Sequence, residues 1–289
     1  MKLYRDFTSQ EEIDRQYNVG ALTPDLQAHL DRYARESEKA RQELECELNI
    51  RFGPTLDETL DIFPSGKPDS PVMVFVHGGY WRRGTSKEFD FVARGLNAHD
   101  ISVVVTNYAL CPNVSITEIT RQSRAVIAWL YQEISAFNGN PDRIFVSGHS
   151  AGGQQVGMLL STDWLSEYGL ACDIIKGGIA ISGIYDLQPL PYSYLQPTLM
   201  LTHKEIMQQS PCFNIPDASP PLLVSLGERE TEEFHRQAAA YVASRQSKGL
   251  DTELFIQPGE DHFTIIDGLG DAHSAFCRRV VEFISNGRL

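Results

Sequence analysis

The stretch Gly148-His149-Ser150-Ala151-Gly152 directly follows an apolar run at residues 144–147 and decides the fold of this chain. A strand that ends in G-x-S-x-G and continues into a helix is typical of a nucleophile elbow, in which small residues make room for a sharp turn. Such a turn presents the serine hydroxyl at the end of the strand, where a base can reach it. Ser150 is therefore the candidate nucleophile.

A second motif lies upstream, where the apolar run at residues 71–76 leads into His-Gly-Gly-Tyr-Trp at residues 77–81. Backbone N–H groups that stabilise a developing oxyanion need a loop with little side-chain bulk, and paired glycines provide it. We expect the N–H groups of Gly79 and Tyr80 to serve as two donors. The third is expected from Ala151, because the residue after the nucleophile opens a helix and its amide has no partner within that helix.

The general base should follow the nucleophile and the acid along the chain, in the order serine, acid, histidine. His262 lies in the turn Gly-Glu-Asp-His-Phe at residues 259–263, after a strand-like run at residues 253–256. His235 lies in a charged helical stretch, and His273 precedes the C-terminal helix. We therefore predict that His262 is the base.

The carboxylate of the site is less clearly marked, because no aspartate occupies the expected turn. The strand-like run at residues 222–226 is followed by Gly227, and a carboxylate three residues past that glycine is Glu230. A glutamate can orient an imidazole as an aspartate does. Glu228 is the nearest rival, and Asp186, after another apolar run, is a more distant one. Glu230 is our first choice, and both alternatives stay open.

The chain has 289 residues with 42% apolar content, which suffices for one large α/β core, and we predict one domain over residues 1–289. Strands and helices alternate after residue 70, which predicts a mostly parallel central sheet with helices on both faces. Two segments depart from the alternation. Residues from about 9 to 44 form an N-terminal helical extension. Residues from about 185 to 213, rich in proline and tyrosine, form a lid-like excursion where ligands bind in such sheets.

The formal net charge of −13 argues against a nucleic-acid partner, which needs clustered lysine and arginine. Arg82 and Arg83 are a basic pair near a motif that could attract a substrate carboxylate, although such a pair is more often only solvated. We see no leader peptide and no apolar run of membrane-spanning length, which indicates a cytoplasmic protein without a membrane partner. A homodimer is left open.

The five cysteines are scattered and include no C-x-x-C pair, so they favour neither a disulfide framework nor a zinc site. A reducing compartment is therefore expected. We predict a small-molecule substrate, no metal and no organic cofactor, because serine chemistry needs neither.

The motifs at residues 77–81, 148–153 and 259–263 together resemble those of the α/β-hydrolase superfamily, and specifically the arylformamidase (kynurenine formamidase) group of esterase-like proteins. The loop H-G-G-x-W is the most discriminating element. Residues 9–18 and 183–190 also resemble that group. The resemblance implies an α/β-hydrolase fold, with Ser150 as nucleophile, His262 as base and Glu230 in the place of the family's aspartate.

The activity that the resemblance implies is hydrolysis of N-formyl arylamines, such as N-formyl-L-kynurenine, to formate and the free amine. Because a formyl group is small, specificity should come from the aryl portion, and we expect Tyr80, Trp81, His149 and Tyr185 to contact the substrate. Two alternatives remain: a carboxylesterase for short acyl or aryl esters, and a catalytically weakened, non-enzymatic member.

Overall fold

An eight-stranded sheet forms the centre of the computed structural model, which describes residues 2–289; Met1 lies outside the described residues. The strands are β1 (Glu47–Arg51), β2 (Thr59–Phe63), β3 (Ser70–Val76), β4 (Ser102–Thr106), β5 (Gly139–His149), β6 (Ile175–Ile181), β7 (Leu222–Gly227) and β8 (Thr252–Gln257).

Helices cover the sheet and fill the connections between strands. The α-helices described within residues 2–289 are α1 (Gln10–Tyr17), α2 (Val19–Leu22), α3 (Leu26–Glu43), α4 (Ala93–Asn97), α5 (Ile116–Glu133), α6 (Ala151–Leu160), α7 (Trp164–Tyr168), α8 (Gln196–Leu199), α9 (His203–Gln209), α10 (Glu232–Ser247) and α11 (Ala275–Asn286). Short 3₁₀ helices lie at Ser86–Glu88, Asp90–Val92, Ile134–Phe137, Leu190–Tyr192, Pro211–Phe213 and Asp267–Gly270.

The strand order is β1-β2-β4-β3-β5-β6-β7-β8. All pairings from β4 to β8 are parallel, whereas β2 runs antiparallel to both β1 and β4. The prediction of a mostly parallel α/β sheet is confirmed.

The central strands are apolar because both of their faces are covered. Every residue of β4 is buried, and three of its five positions are valines, whose branched side chains suit a buried strand. Alternate residues of the strands belong to two separate hydrophobic cores. Val74 and Val146 belong to one core, and their neighbours Phe75 and Phe145 belong to the other.

The N-terminal extension predicted over residues 9–44 forms three helices, α1 to α3. The first begins at a capping box, in which Ser9 accepts from the amide of Glu12 and the Glu12 side chain accepts from the amide of Ser9. The Tyr17 hydroxyl at the end of α1 donates to Glu233 on α10 at 2.8 Å. This bond ties the extension to the carboxyl end of the sheet.

The parallel strands place the motif residues at one edge of the sheet. The loops after β3, β5, β7 and β8 all leave from the carboxyl end of the sheet, where ligands bind in folds of this kind. No helix within residues 2–289 has both the length and the apolar character needed to cross a membrane.

Candidate active site

Ser150 lies in a strained turn between β5 and α6, with φ of 56° and ψ of −113°. The turn requires glycine on both sides: a Cβ on Gly152 would lie 1.9 Å from the carbonyl oxygen of Val76, and one on Gly148 would lie 2.4 Å from the carbonyl oxygen of Gly152. The Ser150 amide donates to the carbonyl of Ile181 on β6 at 2.8 Å. Backbone packing therefore fixes the serine in a conformation that costs about 1–3 kcal/mol.

Ser150, His262 and Glu230 form a hydrogen-bonded chain. The Ser150 Oγ lies 3.1 Å from His262 Nε2, and His262 Nδ1 lies 2.8 Å from Glu230 Oε2. The second carboxylate oxygen of Glu230 accepts from the hydroxyl of Ser182 and from the amide of Gly227. The Glu230 side chain is completely buried, so its position is fixed from both sides.

Of the three candidate carboxylates, the structure brings Glu230 to the imidazole and places the other two elsewhere. Glu228 is exposed and accepts from the amide of Gly259 at 2.7 Å. Asp186 accepts from the hydroxyl of Tyr4 at 2.8 Å. The geometry therefore favours Glu230 as the carboxylate that orients the base.

Of the three candidate histidines, His262 is the one beside Ser150. His235 lies on α10 with its Nε2 3.2 Å from the carbonyl oxygen of Glu228, and His273 precedes α11. The loop after β8 carries His262 back over the sheet, as its position after the last strand predicts.

The His77 side chain organises the glycine loop after β3. Its Nδ1–H donates to the carbonyl of Gly78 at 2.7 Å, and the hydroxyl of Tyr108 donates to the carbonyl of His77 at 2.9 Å. The imidazole stacks on the Tyr108 ring with centroids 4.1 Å apart. Burial lowers the pKa of His77 to about 4, so the ring is neutral near pH 7.

Three consecutive residues of this loop have positive φ: Gly79 at 117°, Tyr80 at 51° and Trp81 at 56°. The left-handed region is unfavourable for tyrosine and tryptophan, and buried hydrogen bonds stabilise both of them there. The Tyr80 hydroxyl donates to the carbonyl of Tyr17, and Trp81 Nε1 donates to Gln154 at 3.1 Å. Within residues 2–289, the amides of Gly79 and Tyr80 have no protein acceptor.

The glycine loop packs directly against the nucleophile turn. A Cβ on Gly78 would lie 3.2 Å from the Cβ of Ser150. Ala151 is the first residue of α6, so its amide has no acceptor within the helix. This packing supports the amides of Gly79, Tyr80 and Ala151 as oxyanion donors, an assignment that stays a prediction.

His149 links the nucleophile turn to the loop of the base. Its Nε2 lies 2.8 Å from the carbonyl oxygen of His262, and because a carbonyl only accepts, Nε2 carries the proton. Burial, and next the neighbouring His262 ring, hold the pKa of His149 well below its usual value. His149 is therefore neutral, and it fixes the backbone of His262 without adding a charge beside it.

A cavity of about 200 Å³ opens above Ser150 and His262. The N-terminal helices and the segments after β3 and β8 supply most of its wall. The lining residues are Val19, Leu26, Leu30, Tyr33, Gly78, Gly79, Tyr80, Arg83, Gly84, Glu88, Phe89, His149, Ser150, His262 and Phe263.

The cavity corrects two of the four predicted substrate contacts. Tyr80 and His149 line it, but Trp81 and Tyr185 do not. Trp81 is fully buried, and its indole N–H donates to Gln154 on α6. Tyr185 is buried in a stack on Tyr241 with centroids 4.4 Å apart. Both aromatic rings therefore belong to the core.

The lid-like excursion at residues 185–213 does not cover the cavity as predicted, because none of its residues lines the wall. It instead supports the elements that do. The Tyr194 ring lies edge-on to Tyr80 with centroids 6.4 Å apart, and the Tyr194 amide donates to Asp14 on α1 at 2.8 Å. The Arg82 guanidinium lies 5.2 Å from the Tyr194 ring centroid.

The N-terminal segment, and not the excursion predicted from the sequence, covers the site. Leu26, Leu30 and Tyr33 follow one another at spacings of four and three residues on α3 and present one face to the cavity. That spacing is visible in the sequence, but it does not say which surface the face packs against. The role of Ser182 was not predicted either. The feature of the sequence that could have indicated it is its position directly after β6, the strand that pairs with β7, which leads to Glu230.

The described part of the chain shows no group of three or more His, Cys, Asp or Glu side chains arranged to hold a metal ion. Its five cysteines are free thiols.

The strand order, the serine turn after β5 and the histidine after the last strand define the α/β-hydrolase fold. Solved structures support this class. A protein from Silicibacter sp. TM1040, described as a candidate thioesterase, matches with a TM-score of 0.81 and 26% identity, covering 92% of this chain and 98% of its own. An esterase from Pyrobaculum calidifontis matches in fold with a TM-score of 0.71 and 15% identity, covering 96% of this chain and 97% of its own.

The chain belongs to the prolyl oligopeptidase family, whose family model matches residues 121–286. A second family model, BD-FAE, matches residues 60–168. Among curated relatives, the kynurenine formamidase of Danio rerio is 28% identical, covering 96% of this chain and 97% of the relative. The kynurenine formamidase of Salmo salar is 29% identical, covering 94% of this chain and 96% of the relative. The chain is thus a hydrolase of the α/β-hydrolase superfamily.

Proposed function

We propose that this protein is a serine hydrolase that cleaves N-formyl arylamines, such as N-formyl-L-kynurenine, to formate and the free amine. The observation that carries the proposal is the chain of hydrogen bonds from Ser150 through His262 to Glu230 on the floor of a largely apolar cavity. The formamidase relatives, which match over nearly their full length, support the substrate class.

In the first half of the reaction, His262 Nε2 takes the hydroxyl proton of Ser150, and the Ser150 oxygen attacks the formyl carbon. The resulting oxyanion accepts from the amides of Gly79, Tyr80 and Ala151, which need no reorganisation to receive it. The carbon–nitrogen bond then breaks, and the amine leaves with the proton from His262. Ser150 is left as a formyl ester.

In the second half, a water molecule gives a proton to His262 and attacks the formyl ester. Collapse of this second intermediate releases formate and returns the proton from His262 to Ser150. Glu230 accepts from His262 Nδ1–H throughout, so it keeps Nε2 directed at the serine and stabilises the imidazolium. Ser182 and Gly227 keep the carboxylate in that position.

The cavity suits a compact aromatic substrate. Its volume of about 200 Å³ is below the range of about 300–1,000 Å³ that is usual for drug-sized ligands. The rings of Tyr33, Phe89 and Phe263 and the side chain of Leu30 line its wall, where they can pack on an aryl group.

The closest alternative is a carboxylesterase for short acyl or aryl esters, which the esterase neighbours in fold support. An ester would use the same residues, and the difference lies in the leaving group.

A comparison of rates decides between the formamidase and the carboxylesterase. We expect kcat/KM for N-formyl-L-kynurenine, divided by its uncatalysed rate, to exceed the same ratio for p-nitrophenyl acetate by several orders of magnitude. An equal ratio or an ester preference would favour the carboxylesterase.

The more distant alternative is a catalytically weakened member. The complete chain of hydrogen bonds argues against it, and an organophosphate probe tests it. We expect covalent labelling at Ser150, whereas failure to label the folded protein would favour the inactive member.

The cytoplasmic location stays a prediction, and the homodimer stays open. Cell fractionation with an antibody to the chain checks the first, and sedimentation equilibrium checks the second.

A further inference from the structure

Two side chains of opposite charge line the cavity, and the reaction described above uses neither. Arg83 and Glu88 are both part of its wall. No acidic side chain within residues 2–289 lies within 4.0 Å of the Arg83 guanidinium, and no basic one lies that close to Glu88. The two are therefore not an ion pair with each other, although they border the same space.

Arg83 starts beside the oxyanion loop and extends towards the N-terminal helices. A Cβ on Gly79 would lie 3.2 Å from Arg83 Cγ, and one on Gly20 would lie 3.7 Å from Arg83 Nη2. The stem thus packs against the loop, and the guanidinium lies near Gly20 on α2. Arg82 lies instead beside the ring of Tyr194 and does not line the cavity.

Glu88 is oriented by the residue that starts its own short helix. Its Oε2 accepts from the amide of Thr85 at 2.8 Å and from the hydroxyl of Thr85 at 2.6 Å. Its other oxygen, Oε1, has no protein partner within residues 2–289. One oxygen thus fixes the carboxylate, and the second is available to a ligand.

A cavity that presents one cation and one carboxylate without pairing them suits a ligand that carries both charges. A guanidinium binds a carboxylate through parallel N–H donors, and a carboxylate accepts from an ammonium group. Since the protein carries a net charge of −13, an arginine that lines the cavity of the nucleophile without an acidic partner is also the feature that attracts an anionic group to this site.

We propose that Arg83 and Glu88 form a subsite for the α-carboxylate and the α-ammonium group of an amino acid, the part of the substrate remote from the formamide. This inference rests on the proposed function for the substrate and adds the side chains that bind its part remote from the formamide. The apolar side chains that line the same cavity then contact the aryl ring.

Arg83→Gln and Glu88→Gln test the subsite, and Arg82→Gln is the matched control. For each protein, kcat/KM is measured with N-formyl-L-kynurenine and with 2′-formamidoacetophenone, which keeps the aryl formamide but lacks the amino-acid group. We expect the ratio of the two values to fall about tenfold in Arg83→Gln, by somewhat less in Glu88→Gln, and not in Arg82→Gln. A ratio unchanged in Arg83→Gln, or lowered equally in Arg82→Gln, would overturn the proposal.

A binding measurement separates this proposal from the proposed function. Calorimetry of L-kynurenine with the wild type and with Arg83→Gln needs no turnover, and we expect the Kd to rise about tenfold in the variant. If the wild type cleaves no formamide but shows this difference, the subsite stands and the proposed function fails. If formamides are cleaved and L-kynurenine binds both proteins equally or neither, the subsite fails alone. Thermal melting verifies that each variant is folded.

Discussion

At the scale of single residues, the glutamate in the place of the usual aspartate is the least expected feature of the site. Glu230 reaches the imidazole with one oxygen, and Ser182 and Gly227 engage the other. The extra methylene of the glutamate is accommodated because both of its carboxylate oxygens accept hydrogen bonds. The side chain therefore acts as a fixed acceptor for His262 Nδ1–H.

Replacing Glu230 with glutamine should lower kcat about 10³- to 10⁴-fold, because the amide can present a donor to Nδ1 and stabilise the wrong imidazole tautomer. Glu228→Gln, on the same loop but exposed, should stay within about threefold of the wild type. Steady-state kinetics of the two purified variants provide the comparison. Equal losses would contradict the assignment of Glu230.

The buried imidazole of His77 should make stability depend on pH. Its pKa in the folded protein is about 4, against a usual value of 6.5. A histidine with a lowered pKa is protonated more readily when unfolded, so its contribution is complete above pH 6.5 and is lost as the pH falls towards 4. The shift corresponds to about 3 kcal/mol.

Urea unfolding of the wild type and of His77→Gln from pH 6.5 to pH 4 measures this contribution. Glutamine keeps an N–H donor but does not titrate, so the stability difference between the two proteins should shift by about 3 kcal/mol in favour of the variant. Other titrating groups are common to both and cancel. A difference that stays constant with pH would show that His77 does not titrate in this way.

At the scale of elements, the N-terminal helices take the place that was predicted for the excursion after β6. Local pattern predicts the helices, since the capping box of α1 and the apolar spacing of α3 each lie within a few residues. The packing of the N-terminal helices on the site depends on contacts such as that of Tyr80 with Tyr17 of α1, which are 63 residues apart in the chain. No pattern within a short stretch of sequence predicts a contact between residues so far apart in the chain.

Leu30→Ala should therefore raise KM for aryl formamides about three- to tenfold and leave kcat nearly unchanged, because it removes part of the cavity wall that takes no part in the reaction steps. Met200→Ala is the control. Like Leu30, Met200 is apolar and exposed, but it lies in the excursion at residues 185–213 and does not line the cavity. Michaelis–Menten kinetics on both variants are the readout. A larger effect from Met200→Ala would restore the excursion as the cover.

At the scale of the whole molecule, the parallel sheet accounts for what the sequence could predict. Ser150, Glu230 and His262 are recognisable because each lies at a fixed offset past an apolar strand, and parallel strands bring those ends to one edge. Trp81 was misplaced because its ring direction depends on Gln154 of a different element. Positions along the chain are thus predictable, whereas side-chain directions across elements are not.

The central claim is that Ser150 cleaves the formamide bond of an N-formyl arylamine. The most direct measurement follows the release of formate and L-kynurenine from N-formyl-L-kynurenine by the wild type and by Ser150→Ala. We predict equal amounts of both products from the wild type and a fall in rate of about 10⁴-fold or more in the variant. No release by the wild type, or equal release by the two proteins, would contradict the claim.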